Sequence, residues 1–191
     1  QAVCAGFVFA LTTAQQYIEN GSFKKILVVG SEAMSKIVDW NDRSTAILFA
    51  DGAGAVVLSS DNATGIRHSK LYSDGSFLSS LHVNNNSINE LGTIEMSGNE
   101  VFKIAVNRLS DLAEETLKDC NMTSDDITWM VPHQANIRII KAVAKRINLP
   151  MSKVIQTLDT HGNTSAASIP LALDTGVRDG RIKKGDILLF E

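Results

Sequence analysis

The segment VPHQAN at residues 131–136 constrains the fold more than any other part of this chain. A short apolar run precedes it, and apolar residues recur at helical spacing after it. Pro132 disfavours helical geometry in the residue before it, and Asn136 is a good N-cap for the helix that follows. The chain is therefore predicted to pass from strand to helix at His133. Ligands of open α/β sheets bind where strands end, and a histidine there can change protonation or donate an N–H while neutral. The alternative is a histidine that only helps to close the turn.

Elsewhere, helical and strand patterns follow one another as in an α/β protein. Apolar residues from Cys4 to Ile18 recur at helical spacing, and Asn20-Gly21 is a typical helix end. The run KILVVG at residues 25–30 is continuously apolar, which predicts a strand covered on both faces in a parallel or mixed sheet beneath helices. The same reasoning predicts a helix at 98–118, strands at 127–131, 66–72 and 154–158, two strands broken by glycines within 47–58, a surface excursion or link at 74–93, and a later helix that Pro170 kinks.

Composition narrows the class of protein. The chain has 191 residues, of which 44% are hydrophobic and 20% charged, as in a soluble globular protein. No apolar run has membrane-spanning length, no signal-peptide pattern opens the chain, and a net charge of -3 gives no reason to expect nucleic-acid binding. We therefore expect a cytoplasmic protein. Cys4 and Cys120 lack metal-ligand spacing, so we expect no metal site.

Cys4, His133 and Asn163 form the candidate catalytic set. Each lies at or next to a predicted helix start, and two of them follow a predicted strand, so a layered α/β fold can bring them to one rim. A cysteine in the first turn of a helix is expected to gain thiolate character from the helix dipole. The histidine and the asparagine can both donate N–H groups to a developing oxyanion or enolate. Cysteine, histidine and asparagine also form the constellation of thiol proteases, so acyl transfer to water stays open.

The segments that hold these three residues, 2–7, 131–136 and 161–168, resemble the active-site motifs of the beta-ketoacyl-acyl carrier protein synthase III family. These enzymes start bacterial type II fatty acid synthesis. Three further segments fit the same family, namely 51–55, 98–103 and 178–182. The resemblance implies a thiolase fold, with five αβαβα layers in two similar halves, and a homodimer.

The resemblance also implies a role for each residue of the set. Cys4 would attack an acyl-CoA, most simply acetyl-CoA, and hold the acyl group as a thioester. His133 and Asn163 would donate hydrogen bonds to the thioester oxygen of malonyl-acyl carrier protein as it loses carbon dioxide and forms an enolate. The carbanion would then attack the acyl-enzyme. No cofactor is implied, because the CoA thioester is a substrate.

Other residues receive roles from the resemblance alone. Arg43 would contact the CoA nucleotide, although an exposed arginine is as often simply solvated. Met34 would border the primer pocket, although methionine is more often core filler. Asn99 and Phe102 would bind substrate. The carrier-docking segment would consist of Gln134, Ala135, Asn136, Ile137 and Arg138. A stripe of Arg138, Lys141 and Lys145 is expected on one helix face, either solvated or steering an acidic carrier protein.

The expected organisation is a remainder of the N-terminal half at 1–73, a connection at 74–97 and a C-terminal half at 98–191. On this interpretation, the chain is a C-terminal fragment that lacks most of the first half and a glycine-rich tail. The alternatives are a thiol-dependent hydrolase, another acyltransferase of the thiolase superfamily, and a non-catalytic binding module. The presence of all three candidate catalytic residues argues against a binding module.

Overall fold

The computed structural model describes residues 2–61, 65–84 and 91–191. Its helices are α1 (Gly6–Glu19), α2 (Arg43–Ala46), α3 (Gly98–Asp119), α4 (Ile137–Arg146), α5 (Leu158–His161) and α6 (Ser168–Arg178). Its strands are β1 (Lys25–Glu32), β2 (Gly52–Ser59), β3 (Leu81–Asn84), β4 (Thr93–Met96), β5 (Trp129–Val131) and β6 (Leu188–Phe190). Within these residues, no helix is both long enough and apolar enough to cross a membrane.

The local signals at helix ends behave as predicted. Helix α1 ends at Glu19 with Asn20 as its C-cap, and Gly21 follows with a φ of 79°, the left-handed geometry that glycine tolerates. The Asn136 side chain accepts a hydrogen bond from the backbone N–H of Arg138 and so caps α4. Thr123 and Asp126 form a capping box around a 3₁₀ turn before β5. Short side chains therefore fix where these elements begin and end.

The strands pair in three small sheets. β1 and β2 are antiparallel, from Lys25 opposite Ser59 to Glu32 opposite Gly52. β3 and β4 are antiparallel, whereas β5 and β6 are parallel. Val154 forms a parallel bridge with Met130 on the other side of β5. The chain thus adds a parallel sheet in its second part to an antiparallel pair in its first.

Two apolar clusters arrange these sheets and helices in layers. The first contains Phe7 of α1, Val28 of β1, Val131 of β5 and Ile169 of α6, so α1 and α6 lie between the two sheets. The second joins the opposite face of β5, through Met130, to the inner faces of α3 and α4. The described residues therefore form four layers, with β1–β2 outermost, then α1 and α6, then β5–β6, then α3 and α4.

Small residues let the middle helix layer approach β1 and β2 closely. A Cβ atom on Gly54 would lie 2.8 Å from the Pro170 side chain, and one on Gly30 would overlap the backbone of Ala166. Glycines on the strands thus leave room for the helix layer to pack against the sheet. The predicted kink at Pro170 is wrong, because α6 begins at Ser168 and a proline in the first turn removes no intrahelical hydrogen bond.

Within the described residues, helices cover one face of β1, whereas the sequence predicts cover on both. Val28 is 3% exposed, whereas its neighbours Leu27 and Val29 are 64% and 50% exposed. Val57, opposite Leu27 on β2, is 64% exposed as well. We call Leu27, Val29 and Val57 the open sheet face. Helices pack on the other face alone, and β1 has an antiparallel partner within the described residues.

Other strand predictions need correction. Residues 66–72 form no strand, and Val154 makes only an isolated bridge before the chain enters α5. The 47–58 segment holds one strand, β2, preceded by an isolated bridge between Phe49 and Asn163. The predicted excursion contains β3 and the start of β4, and its residues 85–90 lie outside the described residues. The predicted unit boundaries around 74–97 stay predictions.

Candidate active site

Cys4 lies in a 3₁₀ turn, Val3–Ala5, that leads directly into α1. The residue before it, Val3, has a φ of 45°, which is uncommon for a branched side chain. Behind the turn, a Cβ atom on Gly6 would meet the Cβ of Ala166 at 3.2 Å. The start of α1 is therefore packed against the turn that begins α6, and this contact fixes the position of the cysteine.

The Cys4 thiol is half-buried, and burial raises its pKa. A hydrogen bond with the Ser165 side chain lowers the pKa by less, and the negative charge of Glu32 raises it further. Desolvation thus acts against the thiolate character expected at a helix start, because burial favours the neutral thiol.

His133 follows β5 directly, as the sequence predicts. Its backbone N–H donates to the backbone oxygen of Glu191 at 2.7 Å, which ties the residue to the chain after β6. The side chain is half-buried, and its Nδ1 atom is fully buried without a hydrogen-bond partner in the described part of the chain. Burial lowers the pKa of His133 to about 4, so the imidazole is neutral at pH 7 and carries one N–H to donate.

Gln134 supports the histidine from behind. Its side chain is completely buried and donates to the backbone oxygens of Pro132 at 2.8 Å and Ile155 at 3.3 Å. Its Oε1 atom accepts from the backbone N–H of Thr157 at 3.0 Å. This amide therefore joins the His133 segment to the segment that leads into α5. A buried side chain is not available to a protein partner, so the prediction that Gln134 docks the carrier is wrong.

Asn163 is 5% exposed and lies between α5 and a 3₁₀ turn, Ser165–Ala167, rather than directly after a strand. Its backbone N–H donates to Leu48, and its backbone oxygen accepts from Ala50, both at 2.9 Å. The Oδ1 atom of its side chain accepts from the backbone N–H of Ser165 at 2.9 Å. Because the amide oxygen has a partner, the NH₂ group is the end of this side chain that is left to donate to a ligand.

The three candidate residues are connected through short chains of contacts. Ser165 contacts both Cys4 and Asn163, through its side chain and its backbone N–H respectively. Gln134, the residue after His133, accepts a hydrogen bond from the backbone N–H of Thr157, the residue before α5. Helix α5 in turn ends two residues before Asn163. A thiol, a neutral imidazole and a primary amide on these supports can form a covalent thioester and stabilise an oxyanion.

The sequence analysis missed three supporting residues. Ser165 lies inside the third motif but was treated only as a small residue, and its φ of 50° is not readable from the sequence. Glu32 is an acidic residue at the end of a strand, with no local signal of its role. Gln134 is polar yet buried, and only its place within the VPHQAN motif pointed to a function.

The remaining predicted residues lie at varied depths. Met34 is 4% exposed and packs with Val38 and Ile94, as core filler does. Arg43 is exposed at the start of α2, and Asn99 is exposed in the first turn of α3. The guanidinium of Arg138 lies 5.0 Å from the centre of the half-buried Phe102 ring. The substrate contacts predicted for Met34, Arg43, Asn99 and Phe102 stay predictions.

In α4, the predicted division into a basic and an apolar face is confirmed. Arg138, Lys141 and Lys145 are exposed, whereas Ile140 and Val143 are buried. Of the rest of the predicted docking segment, Ala135, Asn136 and Ile137 are half-buried. Across the described residues, no group of three or more histidine, cysteine, aspartate or glutamate side chains is placed to hold a metal ion.

The layered arrangement is that of a thiolase-like protein, and it carries the cysteine, histidine and asparagine of the candidate site. Residues 1–75 match the family model described as 3-oxoacyl-[acyl-carrier-protein (ACP)] synthase III, and residues 117–191 match the model of its C-terminal part. The chain therefore belongs to the 3-oxoacyl-[acyl-carrier-protein] synthase III family.

Individual relatives agree with this assignment. The chain is 73% identical over 191 residues to the beta-ketoacyl-[acyl-carrier-protein] synthase III of Vesicomyosocius okutanii and 54% identical over 195 residues to that of Neisseria meningitidis serogroup A. The crystal structure of 3-oxoacyl-[acyl-carrier-protein] synthase III from Aquifex aeolicus matches with a TM-score of 0.95 and 42% identity, covering 99% of this chain and 60% of that one. The thiolase-like fold is thereby confirmed.

The chain spans only part of its relatives. The matches cover 100% of this chain but 61% of each of the two curated relatives. These figures do not locate the remaining part, so the expectation of a C-terminal fragment without most of the first half stays a prediction. The fifth layer and the homodimer stay predictions as well.

Proposed function

We propose that this chain carries the catalytic residues of a beta-ketoacyl-acyl carrier protein synthase III. The reaction is the decarboxylating condensation of an acyl-CoA primer, most simply acetyl-CoA, with malonyl-acyl carrier protein. The observation that carries the proposal is the orientation of Asn163, whose amide oxygen is occupied by Ser165 and whose NH₂ group is left to donate. The names of the relatives and their identity to this chain support the same substrates.

In the first half-reaction, the Cys4 sulfur attacks the thioester carbonyl of acetyl-CoA. A bond forms between Sγ and the acyl carbon, the bond from that carbon to the CoA sulfur breaks, and the thiol proton ends on CoA. Because burial raises the pKa of Cys4, the thiol must lose its proton as the attack proceeds. The acetyl group then remains bound to Cys4 as a thioester.

In the second half-reaction, malonyl-acyl carrier protein loses carbon dioxide and leaves an enolate at its thioester. The NH₂ group of Asn163 and the N–H of neutral His133 donate to the enolate oxygen, where negative charge develops. The carbanion attacks the acetyl carbon, and the sulfur of Cys4 leaves as a thiolate that takes up a proton. The product is a beta-ketoacyl-acyl carrier protein.

Labelled acetyl-CoA tests the nucleophile. We expect stoichiometric label on Cys4 in the full-length protein, background label in a Cys4→Ala variant and full label in a Cys120→Ala variant, the matched control. Peptide mapping locates the label, and adding malonyl-acyl carrier protein should move it into a beta-ketoacyl product. Label on Cys120 would contradict the assignment, and release of free acetate without a carbon-carbon bond would point to the hydrolase instead.

Carrier docking provides a second prediction. We propose that Arg138, exposed on α4 and stacked on Phe102, is part of the surface that receives the acidic carrier. Arg138→Glu should raise the KM for malonyl-acyl carrier protein several-fold at low salt and leave acetyl transfer from CoA nearly unchanged. Lys24→Glu is the control for the change in charge. Lys24 directly precedes β1, and the rise of the strand places it roughly 25 Å from Glu32 at the other end of β1. Equal losses with CoA and carrier substrates would rule Arg138 out as a carrier-specific contact.

We further propose that the protein acts in the cytoplasm as a homodimer and needs no cofactor. Sedimentation velocity of the full-length protein at micromolar concentration tests the homodimer, and a monomer that turns over at the full rate would contradict it.

A further inference from the structure

The orientation of the Asn163 side chain depends on the residue two positions later. The backbone N–H of Ser165 donates to Asn163 Oδ1 at 2.9 Å, so the amide oxygen faces the main chain and the NH₂ group points away from it. The backbone of Asn163 is fixed separately, by hydrogen bonds of 2.9 Å to Leu48 and Ala50. The Ser165 N–H therefore decides which end of the amide is left to donate.

Ser165 has an unfavourable backbone geometry. Its φ of 50° is a left-handed conformation that a non-glycine residue adopts only when the surrounding structure holds it there. The residue is 1% exposed, so its hydroxyl needs a hydrogen-bond partner within the protein. Contacts from another part of the fold must therefore stabilise this turn.

Glu32, the last residue of β1, supplies such contacts. Its Oε1 atom accepts from the Ser165 hydroxyl at 3.0 Å and from the backbone N–H of Ala166 at 3.4 Å. Two residues earlier on the same strand, Gly30 lies so close that a Cβ atom there would overlap the backbone oxygen of Ala166. The end of β1 and the turn at 165–167 are thus joined by hydrogen bonds and by direct packing.

We propose that Glu32 is a positioning residue for Asn163. By accepting from the Ser165 hydroxyl and the Ala166 N–H, it holds the turn in the geometry that places the Ser165 N–H on Asn163 Oδ1. The NH₂ group of Asn163 is thereby kept oriented to donate to the enolate oxygen. This role rests on the proposed function for its chemistry, and it adds to the site a residue from a strand distant in sequence.

Two substitutions of Glu32 separate its hydrogen bonds from its charge. Glu32→Gln keeps an oxygen that can accept from both donors, whereas Glu32→Leu removes it. Both variants lack the negative charge, which raises the pKa of Cys4 in the parent. The difference between the two variants therefore measures the hydrogen bonds alone.

The two half-reactions should respond differently in the full-length protein. Glu32→Leu should slow malonyl decarboxylation roughly tenfold relative to Glu32→Gln, which is less than the loss of about 10²- to 10³-fold expected when an oxyanion donor is removed outright. Acetyl transfer from CoA to Cys4 should differ little between the two variants, because it does not depend on the Asn163 amide. Equal decarboxylation rates in Glu32→Leu and Glu32→Gln would contradict the proposal.

A double substitution tests whether Glu32 acts through the amide. In an Asn163→Ala background, Glu32→Leu and Glu32→Gln should decarboxylate malonyl-acyl carrier protein at equal rates, because no side-chain amide remains to be oriented. A difference that persists at full size in that background would show that Glu32 acts by another route.

Hydrogen exchange measures the same link without substrate. The Ser165 N–H should exchange several-fold faster in Glu32→Leu than in Glu32→Gln, whereas N–H groups in the middle of α6, such as that of Ala172, should exchange equally in both. Equal exchange at Ser165 would overturn the proposal, and faster exchange throughout α6 would assign Glu32 a general role in stability instead. Because no substrate takes part, this result is independent of whether the protein catalyses the condensation.

Asp126→Leu is the matched control. The Asp126 carboxylate also accepts from a backbone N–H and a hydroxyl, those of Thr123 at 2.7 and 3.0 Å, but it does so in the turn before β5. Its loss should leave decarboxylation at the parental rate. If Glu32→Leu does not fold, Ser165→Ala, which removes the hydroxyl alone, should show a smaller decarboxylation defect that is absent from the Asn163→Ala background. An undiminished rate in Ser165→Ala would then overturn the proposal.

Discussion

The β1–β2 sheet and the β5–β6 sheet are built from similar apolar sequences but are covered differently. In β5, Met130 and Val131 point to opposite faces and are both 0% exposed, because α3 and α4 pack on one face and α1 and α6 on the other. In β1, Val28 is buried beneath the helix layer, whereas Leu27 points outward on the open sheet face. An apolar run thus predicts that a strand is suited to burial on both faces, and the packed elements decide how many faces are covered.

The candidate catalytic residues differ between the same two regions. Cys4, beside β1, has polar partners, whereas the His133 Nδ1 atom beyond β5 has none among the described residues. Burial nevertheless acts on both in the same sense, raising the pKa of the thiol and lowering that of the imidazole. Burial thus favours the neutral form of both groups, which suits the hydrogen-bond donation proposed for His133 and means that the proposed reaction must activate Cys4.

The largest expected effect separates the roles of the two regions. His133→Ala and Asn163→Ala should each slow malonyl decarboxylation by about 10²- to 10³-fold, as loss of an oxyanion donor does elsewhere. Acetyl transfer from CoA to Cys4 should fall much less, because it depends on the thiol. Release of labelled carbon dioxide and labelling of Cys4 measure the two steps separately.

His82→Ala supplies the matched control for this experiment, since His82 lies on β3 and contacts Glu95 rather than the site. Equal losses in both half-reactions, with His82→Ala unaffected, would mean that the two regions do not divide the work as proposed.

A second test addresses the open sheet face. Residues 1–191 expressed alone should self-associate, because three large apolar side chains are exposed side by side on a sheet. Replacing Leu27 and Val57 by lysine should largely abolish concentration-dependent light scattering. Replacing Ser31 and Ser59 by lysine adds the same charge to the same face without removing apolar surface, so it should help less. Equal rescue by both pairs would show that net charge, rather than the apolar face, controls association.

Much of the fold was predictable where a short sequence signal sets the geometry. The Asn136 cap, the Asn20-Gly21 helix end and the strand before Pro132 are all local features, and each is confirmed. The predictions that fail depend on partners distant in sequence. Lys70 and Tyr72 bond Glu115 of α3 at 3.1 and 2.9 Å, so the segment predicted as a strand at 66–72 is held by side chains instead.

The predicted strand at 154–158 fails for a related reason. The Ile155 N–H donates to Met130, but the next outward donor, Thr157 N–H, goes to the side chain of Gln134. Because the Thr157 N–H donates to a side chain, it cannot form the next hydrogen bond of a strand ladder. The motifs identified the three catalytic candidates, whereas Ser165 and Glu32 could be found only from their placement in three dimensions.

The smallest expected effect concerns pH. The pKa of His133 is about 4 in the folded protein, against about 6.5 in an unfolded chain. Decarboxylation should therefore show no change attributable to His133 from pH 7 down to about pH 5. NMR titration of the His133 ring should likewise show no transition near pH 6.5. A transition there would mean that the imidazole is solvated.

The same pKa fixes the sign of a stability effect. Between about pH 6.5 and pH 4, His133 is protonated in the unfolded chain but neutral in the folded protein. The contribution of His133 to folding stability is therefore fully present above pH 6.5 and is lost as the pH falls through this window. Burial raises the pKa of the Glu191 carboxyl to about 8, which gives the opposite slope between about pH 4.5 and pH 8. Comparing the wild type with His133→Gln cancels the Glu191 contribution. The variant should lose less stability on acidification, as measured by urea unfolding at each pH. If the stability of the two proteins falls equally with pH, then burial does not lower the pKa of His133.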